Sequence, residues 1–160
     1  MHQTPYITNG EPPAVGAIFP EIRLKNTQQK MVTTKALTKK YTLVSVVPDV
    51  NTRVCSLSTR IFNQKVAAFP KIAFFTISTN SSTEQKNWCA AENVTKMQLL
   101  SDKQGNFGKE LGLFVPEKKI DSRSVWIFNH EGKIVYRELV IEQSNEPNYE
   151  AAVNFLQQHL

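Results

Sequence analysis

Apolar positions along this chain fall into short runs whose spacing alternates between strand and helix periods. Two nearly continuous β-rich runs predict strands buried on both faces, over Tyr41–Val47 and Ile72–Ser78. Between them, apolar residues recur every three or four positions from Val54 to Phe69, which predicts an amphipathic helix. A strand, a helix and a second strand in this order are typical of the α/β class of folds.

Shorter elements surround this unit. Ser81 and Ser82 each stand three residues before a Glu or Gln, which is the spacing of a capping box. We therefore expect a second helix from about Thr83 past Cys89. The remaining predicted elements are two weak strands at Glu21–Lys25 and Met31–Thr34, a short strand at Gln98–Ser101, a short helix at Phe107–Leu111, two hairpin strands at Ser124–Asn129 and Ile134–Val140, and a last amphipathic helix at Asn148–His159.

A length of 160 residues, of which 41% are apolar and 21% charged, predicts a single globular domain over 1–160. Residues 1–17 are rich in Pro and Gly and predict an irregular N-terminal arm. The net charge of +5 is spread along the chain without a long basic run, which favours a solvated surface over a nucleic-acid interface. Such a surface can still help to steer an acidic redox partner.

No segment predicts export or membrane insertion. Met1–Tyr6 lacks the basic start and apolar core of a signal peptide, and no apolar run approaches the length of a membrane span. Two cysteines are too few for the disulfide framework of a small secreted protein. We therefore expect a cytoplasmic protein whose cysteines are catalytic or metal-binding rather than structural. A zinc site would need close pairs of Cys or His, and the three histidines lie at the termini and in a turn.

Cys55 stands where the first helix is predicted to begin. It comes three residues after Thr52, a good N-cap residue, so it becomes the third residue of that helix. Unpaired backbone N–H groups and the helix dipole favour negative charge at this place, which is the environment that makes a thiol nucleophilic. From the residues alone, an inert cysteine buried on the helix face is the alternative.

The octet from Pro48 to Cys55 reads P-x-x-x-T-x-x-C and resembles the active-site signature of the peroxiredoxins. A second cysteine, Cys89, follows 34 residues later, as in the thiol peroxidase branch, the atypical two-cysteine peroxiredoxins. The resemblance covers about Ile18–Leu160. Further matches to that branch are Arg60, Phe62 and Asn63 after the first cysteine, Ser122-Arg123-Ser124-Val125 before a strand, and Glu146-Pro147-Asn148-Tyr149-Glu150-Ala151-Ala152 near the end.

The resemblance implies a thioredoxin-like (peroxiredoxin) sandwich, in which helices flank a central mixed β-sheet. It also implies a homodimer that uses no metal and no organic cofactor. The implied activity is reduction of hydrogen peroxide and organic hydroperoxides. Cys55 would attack the peroxide and become a sulfenic acid, Cys89 would resolve it as an intrachain Cys55–Cys89 disulfide, and thioredoxin would regenerate the dithiol.

The resemblance assigns three more residues to the site. Thr52 would hydrogen-bond the thiolate and the peroxide, although N-capping is its simpler role. Arg123 would stabilise the thiolate and polarise the peroxide, whereas the residues alone allow a solvated position at a strand edge. Pro48 would shield the thiolate from water, and it also ends the preceding strand. If Cys89 starts on a separate helix, local unwinding must precede the disulfide.

Other functions fit the same residues. The protein could be a redox sensor that relays oxidation to a partner, which predicts stable mixed disulfides with a client. It could be a non-enzymatic binding module on the same fold. It could also bind nucleic acid, which predicts salt-sensitive affinity, but only the net charge favours that function.

Overall fold

The computed structural model of the chain describes residues 10–21, 23–33, 40–66, 69, 72–92, 98–140 and 149–159, and their side chains except those at 53–56, 58, 66, 90–92, 149 and 159. Parts of the predicted arm, of the strand to Thr34 and of the last helix at Asn148 lie outside the described residues. The elements in chain order are β1 Arg23–Asn26, β2 Met31–Thr33, β3 Tyr41–Val46, α1 Arg53–Val66, β4 Ile72–Ser78, α2 Ser82–Glu92, β5 Gln98–Ser101, α3 Asn106–Leu111, β6 Phe114–Val115, β7 Ile120–Asp121, β8 Ser124–Asn129, β9 Ile134–Leu139 and α4 Tyr149–His159.

Seven of the described strands form one mixed sheet, in the order β2-β1-β5-β4-β3-β8-β9. β4 pairs in parallel with both β3 and β5, and β3 pairs antiparallel with β8. Parallel strands end at the same edge of a sheet, so the loops after β3, β4 and β5 meet there, together with the loop that enters β8. We call this region, residues 47–52, 79–82, 102–105 and 122–124, the carboxyl edge.

The sheet separates two apolar cores, so its central strands are buried on both faces as their apolar runs predict. Leu43 and Val44 of β3 are both fully buried and belong to opposite cores. Helices α1, α2 and α4 cover one face and α3 covers the other, which confirms the predicted sandwich with flanking helices. The helix residues in the two cores include Phe62, Trp88 and Leu156 on the first face and Phe107 and Leu111 on the second.

The predicted helix after Thr52 is confirmed at its start and wrong at its end. α1 begins at Arg53, so Cys55 is its third residue. The helix ends at Val66 and does not reach Phe69, which is buried and whose carbonyl accepts the N–H of Ile72 at 3.1 Å. Apolar spacing does not separate a helical residue from a residue of the following connection when both face the same core.

The second helix begins at Ser82, one residue earlier than predicted, because Ser81 caps it. The Ser81 N–H donates to Glu84 Oε1 at 3.0 Å, and the Glu84 N–H donates to Ser81 Oγ at 3.1 Å. Of the two capping-box spacings, this is the one that forms. Gln85 instead turns its side chain to the sheet, where Nε2 donates to the carbonyl of Leu100 at 2.8 Å.

The strand predictions are confirmed with small shifts at their ends. Gln98–Ser101 and Ser124–Asn129 agree at both ends. The pair of β6 and β7 was not predicted, since each strand has only two residues and carries no detectable period. No helix in the described ranges is long and apolar enough to cross a lipid bilayer.

Candidate active site

The octet from Pro48 to Cys55 forms the turn from β3 into α1 at the carboxyl edge. Val47 still belongs to the sheet hydrogen bonding, because its N–H donates to Ile77 O at 2.9 Å. Pro48 is buried and has no N–H to continue the ladder, so the strand ends there. Cys55 lies in the first turn of α1, which has no acidic residue. The helix dipole therefore favours a thiolate at this position without an opposing carboxylate in the same turn.

Thr52 is exposed immediately before α1. Its Oγ1 donates to the carbonyl of Asp49 at 2.9 Å, and its N–H donates to the same carbonyl at 3.1 Å. Since the hydroxyl proton is used in this bond, the lone pairs of Oγ1 remain as acceptors. Thr52 can therefore accept a hydrogen bond from the O–H of a hydroperoxide.

Arg123 is brought to this turn by the pairing of β3 with β8. Ser124 lies opposite Val46 in the antiparallel register, so Arg123 stands beside the end of β3. The residue is only 3% exposed, so it is not a solvated residue at a strand edge. Because side chains alternate along an extended chain, Arg123 shares a face with Val125, which belongs to the core beneath α1. The register thus places a buried arginine at the same edge and on the same face as the start of α1.

Cys89 lies on α2 beside the buried Trp88. It is half-buried and packs against the core that also contains Phe62 of α1. Burial raises the pKa of the Cys89 thiol. While α2 is intact, this thiol is therefore held protonated and is a weak nucleophile.

The two cysteines lie on different helices that cover the same face of the sheet. Cys55 is the third residue of α1 and Cys89 the eighth of α2. Both helices begin at the carboxyl edge, so Cys89 lies five residues, or about 7.5 Å along a helix, farther from that edge than Cys55. A disulfide needs Cα atoms within about 7 Å of each other.

Asn80 connects the octet to the start of α2, and the sequence interpretation did not single it out. The residue is the second after the end of β4 and is 8% exposed. Its Oδ1 accepts the N–H of Val50 at 2.9 Å, and its Nδ2 donates to Asp49 Oδ1 at 2.9 Å. A signal was available, because a polar residue just beyond a buried parallel strand lies at the edge where the other strands end.

A cleft of about 720 Å³ opens at the same edge but beside the octet. Its walls are the β1–β2 hairpin and the starts of α2 and α3, and they include Arg23, Ser81 and Lys103. Pro48 and Thr52 do not line it. The candidate site is therefore defined by its chemical groups and not by this cleft. The described residues also contain no group of three His, Cys, Asp or Glu that could hold a metal ion.

Comparisons with known proteins agree with this arrangement. The sequence profile of the AhpC/TSA family matches residues 15–137. A thiol peroxidase of Listeria innocua is 39% identical over 140 residues, which are 87% of this chain and 85% of that protein. A thiol peroxidase of Bacillus subtilis is 37% identical over 115 residues, 71% of this chain and 69% of that protein.

Solved structures agree as well. A peroxiredoxin-like protein of Aquifex aeolicus has 26% identity and superposes with a TM-score of 0.88, over 94% of this chain and 90% of that one. A thiol peroxidase from Chromobacterium violaceum superposes with a TM-score of 0.86 over 96% of this chain and 91% of that one. At 17% identity, the second likeness concerns the fold alone.

Proposed function

This chain belongs to the AhpC/TSA family and is a thiol-dependent peroxidase, and from that premise we propose that Cys55 is the attacking cysteine and Cys89 the resolving one. The fold is the thioredoxin-like sandwich of the peroxiredoxins, as predicted. One observation supports the assignment most directly: the start of the Cys55 helix and the buried Arg123 meet at the carboxyl edge.

In the first step the Cys55 thiolate attacks one oxygen of the hydroperoxide. An S–O bond forms as the O–O bond breaks, the leaving oxygen departs as alkoxide or hydroxide and takes up a proton, and Cys55 becomes a sulfenic acid. Thr52 Oγ1 accepts the hydrogen bond of the peroxide and orients it. Arg123 stabilises the thiolate and the charge that develops on the leaving oxygen. Pro48, which is buried and has no N–H, limits water beside the thiolate.

In the second step Cys89 attacks the sulfur of the sulfenic acid. The S–S bond forms as the S–O bond breaks, and the hydroxide leaves as water. Because Cys89 is half-buried on an intact helix and lies five residues farther from the carboxyl edge than Cys55, we expect α2 to open first. Half of its described side chains, those of Thr83, Glu84, Lys86 and Asn87, are exposed, and its buried anchors are Ser82, Gln85 and Trp88. Segments with few buried contacts open at the lowest free energy. Opening also exposes the Cys89 thiol to water and so removes the cause of its raised pKa.

In the third step the dithiol of a thioredoxin reduces the disulfide by thiol–disulfide exchange, and the thioredoxin is oxidised. A homodimer and a cytoplasmic location, where such a reductant is present, belong to the same proposal. The net charge of +5 supports fast encounter with an acidic reductant.

A stopped-flow experiment tests the two cysteine roles. The reduced protein is mixed with hydroperoxide and followed by tryptophan fluorescence, since Trp88 adjoins Cys89. We expect one phase whose rate rises with peroxide and one that does not, with a Cys55–Cys89 disulfide in the peptide map. Cys55→Ser should abolish both phases. Cys89→Ser should keep the first phase and stop at a sulfenic acid that a dione reagent traps.

Undiminished peroxide turnover by Cys55→Ser would show that another group attacks.

The reductant is tested by adding thioredoxin, its reductase and NADPH. Continuous NADPH oxidation supports the peroxidase cycle. A redox relay would instead accumulate a mixed disulfide with a client protein and turn over slowly with thioredoxin.

A further inference from the structure

We propose that Asn80 is a positioning residue of the peroxidase reaction, and that it holds the turn before Cys55 in the conformation that attacks peroxide. The inference rests on the proposed function, because it concerns the step in which Cys55 reacts. It is carried by a set of hydrogen bonds between Asn80 and the octet that no local pattern requires.

The side chain of Asn80 fixes two successive residues of the turn. Its Oδ1 accepts the N–H of Val50, a residue that is fully buried in the core beneath α1. Its Nδ2 donates to Asp49 Oδ1, which also accepts the N–H of Asn51 at 2.9 Å. One carboxamide therefore satisfies a buried backbone donor and orients a carboxylate, and each of these groups would lose a partner without it.

The backbone around Asn80 is itself held firmly at the carboxyl edge. Ser101 Oγ, at the end of β5, donates to the carbonyl of Asn80 at 2.6 Å. The neighbouring Thr79 donates from Oγ1 to the carbonyl of Pro48 at 3.4 Å. Asn80 is thus anchored to the sheet, and its side chain transmits that anchoring to the turn.

These bonds continue to the residue that receives the peroxide. The carbonyl of Asp49 accepts both bonds of Thr52, from its N–H and from its hydroxyl. Asn80 holds Asp49, and Asp49 holds Thr52 at the start of α1. If Asn80 is lost, the Asp49 peptide is free to rotate, and Thr52 loses the partner that leaves its lone pairs facing the substrate. A displacement of about 1 Å in the groups that position the peroxide costs about tenfold or more in the rate of attack.

Loss of the Asn80 hydrogen bonds should not slow the resolving step, in which Cys89 forms the disulfide. Asn80 stands two residues before α2, so its bonds tie the start of that helix to the turn. Removing them leaves α2 as free to open as before, or freer. A purely structural role would lower stability without slowing attack by the folded protein, so the ratio of the two rate constants separates positioning from stability.

The experiment compares Asn80→Ala with wild type in the two-phase stopped-flow assay. We expect the peroxide-dependent rate constant to fall by about tenfold and the peroxide-independent one to stay equal or rise. Asn87→Ala is the matched control, because Asn87 is an exposed asparagine of α2 outside this hydrogen-bond set. It should leave the peroxide-dependent constant unchanged, and because Ala favours helix more than Asn it should not raise the peroxide-independent one. Urea unfolding of each variant confirms that the protein is folded in the assay.

A second test exchanges the amide and the carboxylate between positions 80 and 49. In Asn80→Asp two carboxylates face each other, and the attack rate should fall as in Asn80→Ala. Adding Asp49→Asn restores one acceptor for the Val50 N–H and one amide donor between the side chains, and should return the rate to within about twofold of wild type. Such non-additivity identifies a direct coupling between neighbouring residues.

Equal attack rates for wild type and Asn80→Ala, or no recovery in the double variant, would overturn the inference. Failure of the proposed function looks different. In that case the wild type itself would show no peroxide-dependent phase or no Cys55–Cys89 disulfide.

Discussion

Asp121 of β7 should make the stability of this protein decrease with rising pH, and replacing it by Asn should remove that effect. Its side chain is fully buried and packs on Gly108 of α3. Beside it, Asp102 accepts the N–H groups of Phe107 at 3.0 Å and Gly108 at 2.9 Å. Burial first, then the hydrogen bond and the charge of Asp102, raise the pKa of Asp121 to about 9. No described donor bonds to the Asp121 oxygens, so the stable form is the acid, which donates to Asp102.

The magnitude follows from proton linkage. An aspartic acid in the unfolded chain loses its proton near pH 4, roughly, whereas the folded protein keeps this proton up to about pH 9. Folding therefore takes up one proton between these values. The contribution of Asp121 to the free energy of unfolding is greatest below that window and falls by about 1.4 kcal/mol per pH unit within it. The amide of Asp121→Asn can donate to Asp102 but does not ionise.

Urea unfolding of wild type and Asp121→Asn at pH 5, 6, 7 and 8 measures the effect, with a reductant present to keep the cysteines reduced. The stability of wild type relative to the variant should fall by about 4 kcal/mol across this range. Glu117→Gln is the control, because Glu117 is exposed. The free energy of unfolding of this variant should depend on pH in the same way as that of wild type. The Cys89 thiol, whose pKa is raised by burial, is present in both proteins, so its titration cancels in the difference between them. A wild-type-to-variant difference that does not change with pH would refute the reasoning, since Asp121 would then be ionised in the folded protein.

Two further predictions concern the peroxidase cycle. Ser81→Ala removes the cap of α2 and should weaken the helix by about 1 kcal/mol, which makes disulfide formation about fivefold faster. The rate of the peroxide-independent phase measures this effect, and Thr83→Ala, at an exposed position, is the control. An unchanged rate in Ser81→Ala would show that opening of α2 does not limit resolution. Arg123→Lys keeps the charge but loses the fixed fork of donors, so the second-order rate constant with peroxide should fall by about tenfold or more. The control Arg137→Lys, on edge strand β9, should leave this rate constant unchanged. Equal rate constants for the two variants would show that Arg123 is not part of the site.

Local sequence signals predicted those elements whose ends are determined by neighbouring residues. The start of α1 follows from Thr52 and the octet, and the start of α2 follows from the reciprocal bonds of Ser81 and Glu84. The end of α1 was predicted too late because Phe69 belongs to the same core without being helical. Capping is a matter of three or four residues, whereas the end of an apolar run depends on what packs against it.

The sequence alone determined that this chain carries a cysteine in the first turn of a helix, a second cysteine on a polar helix, and an α/β order of elements that places both helices against one sheet. The tertiary structure decided which remote residues join them. Arg123 reaches the octet only through the register of β8 on β3. Asn80 reaches it because β3 and β4 end side by side, and Asp121 meets Asp102 because β7 packs on α3. Helix starts are set by bonds within one turn of chain, but these contacts depend on strand pairing and packing between segments far apart in sequence, which no local pattern encodes.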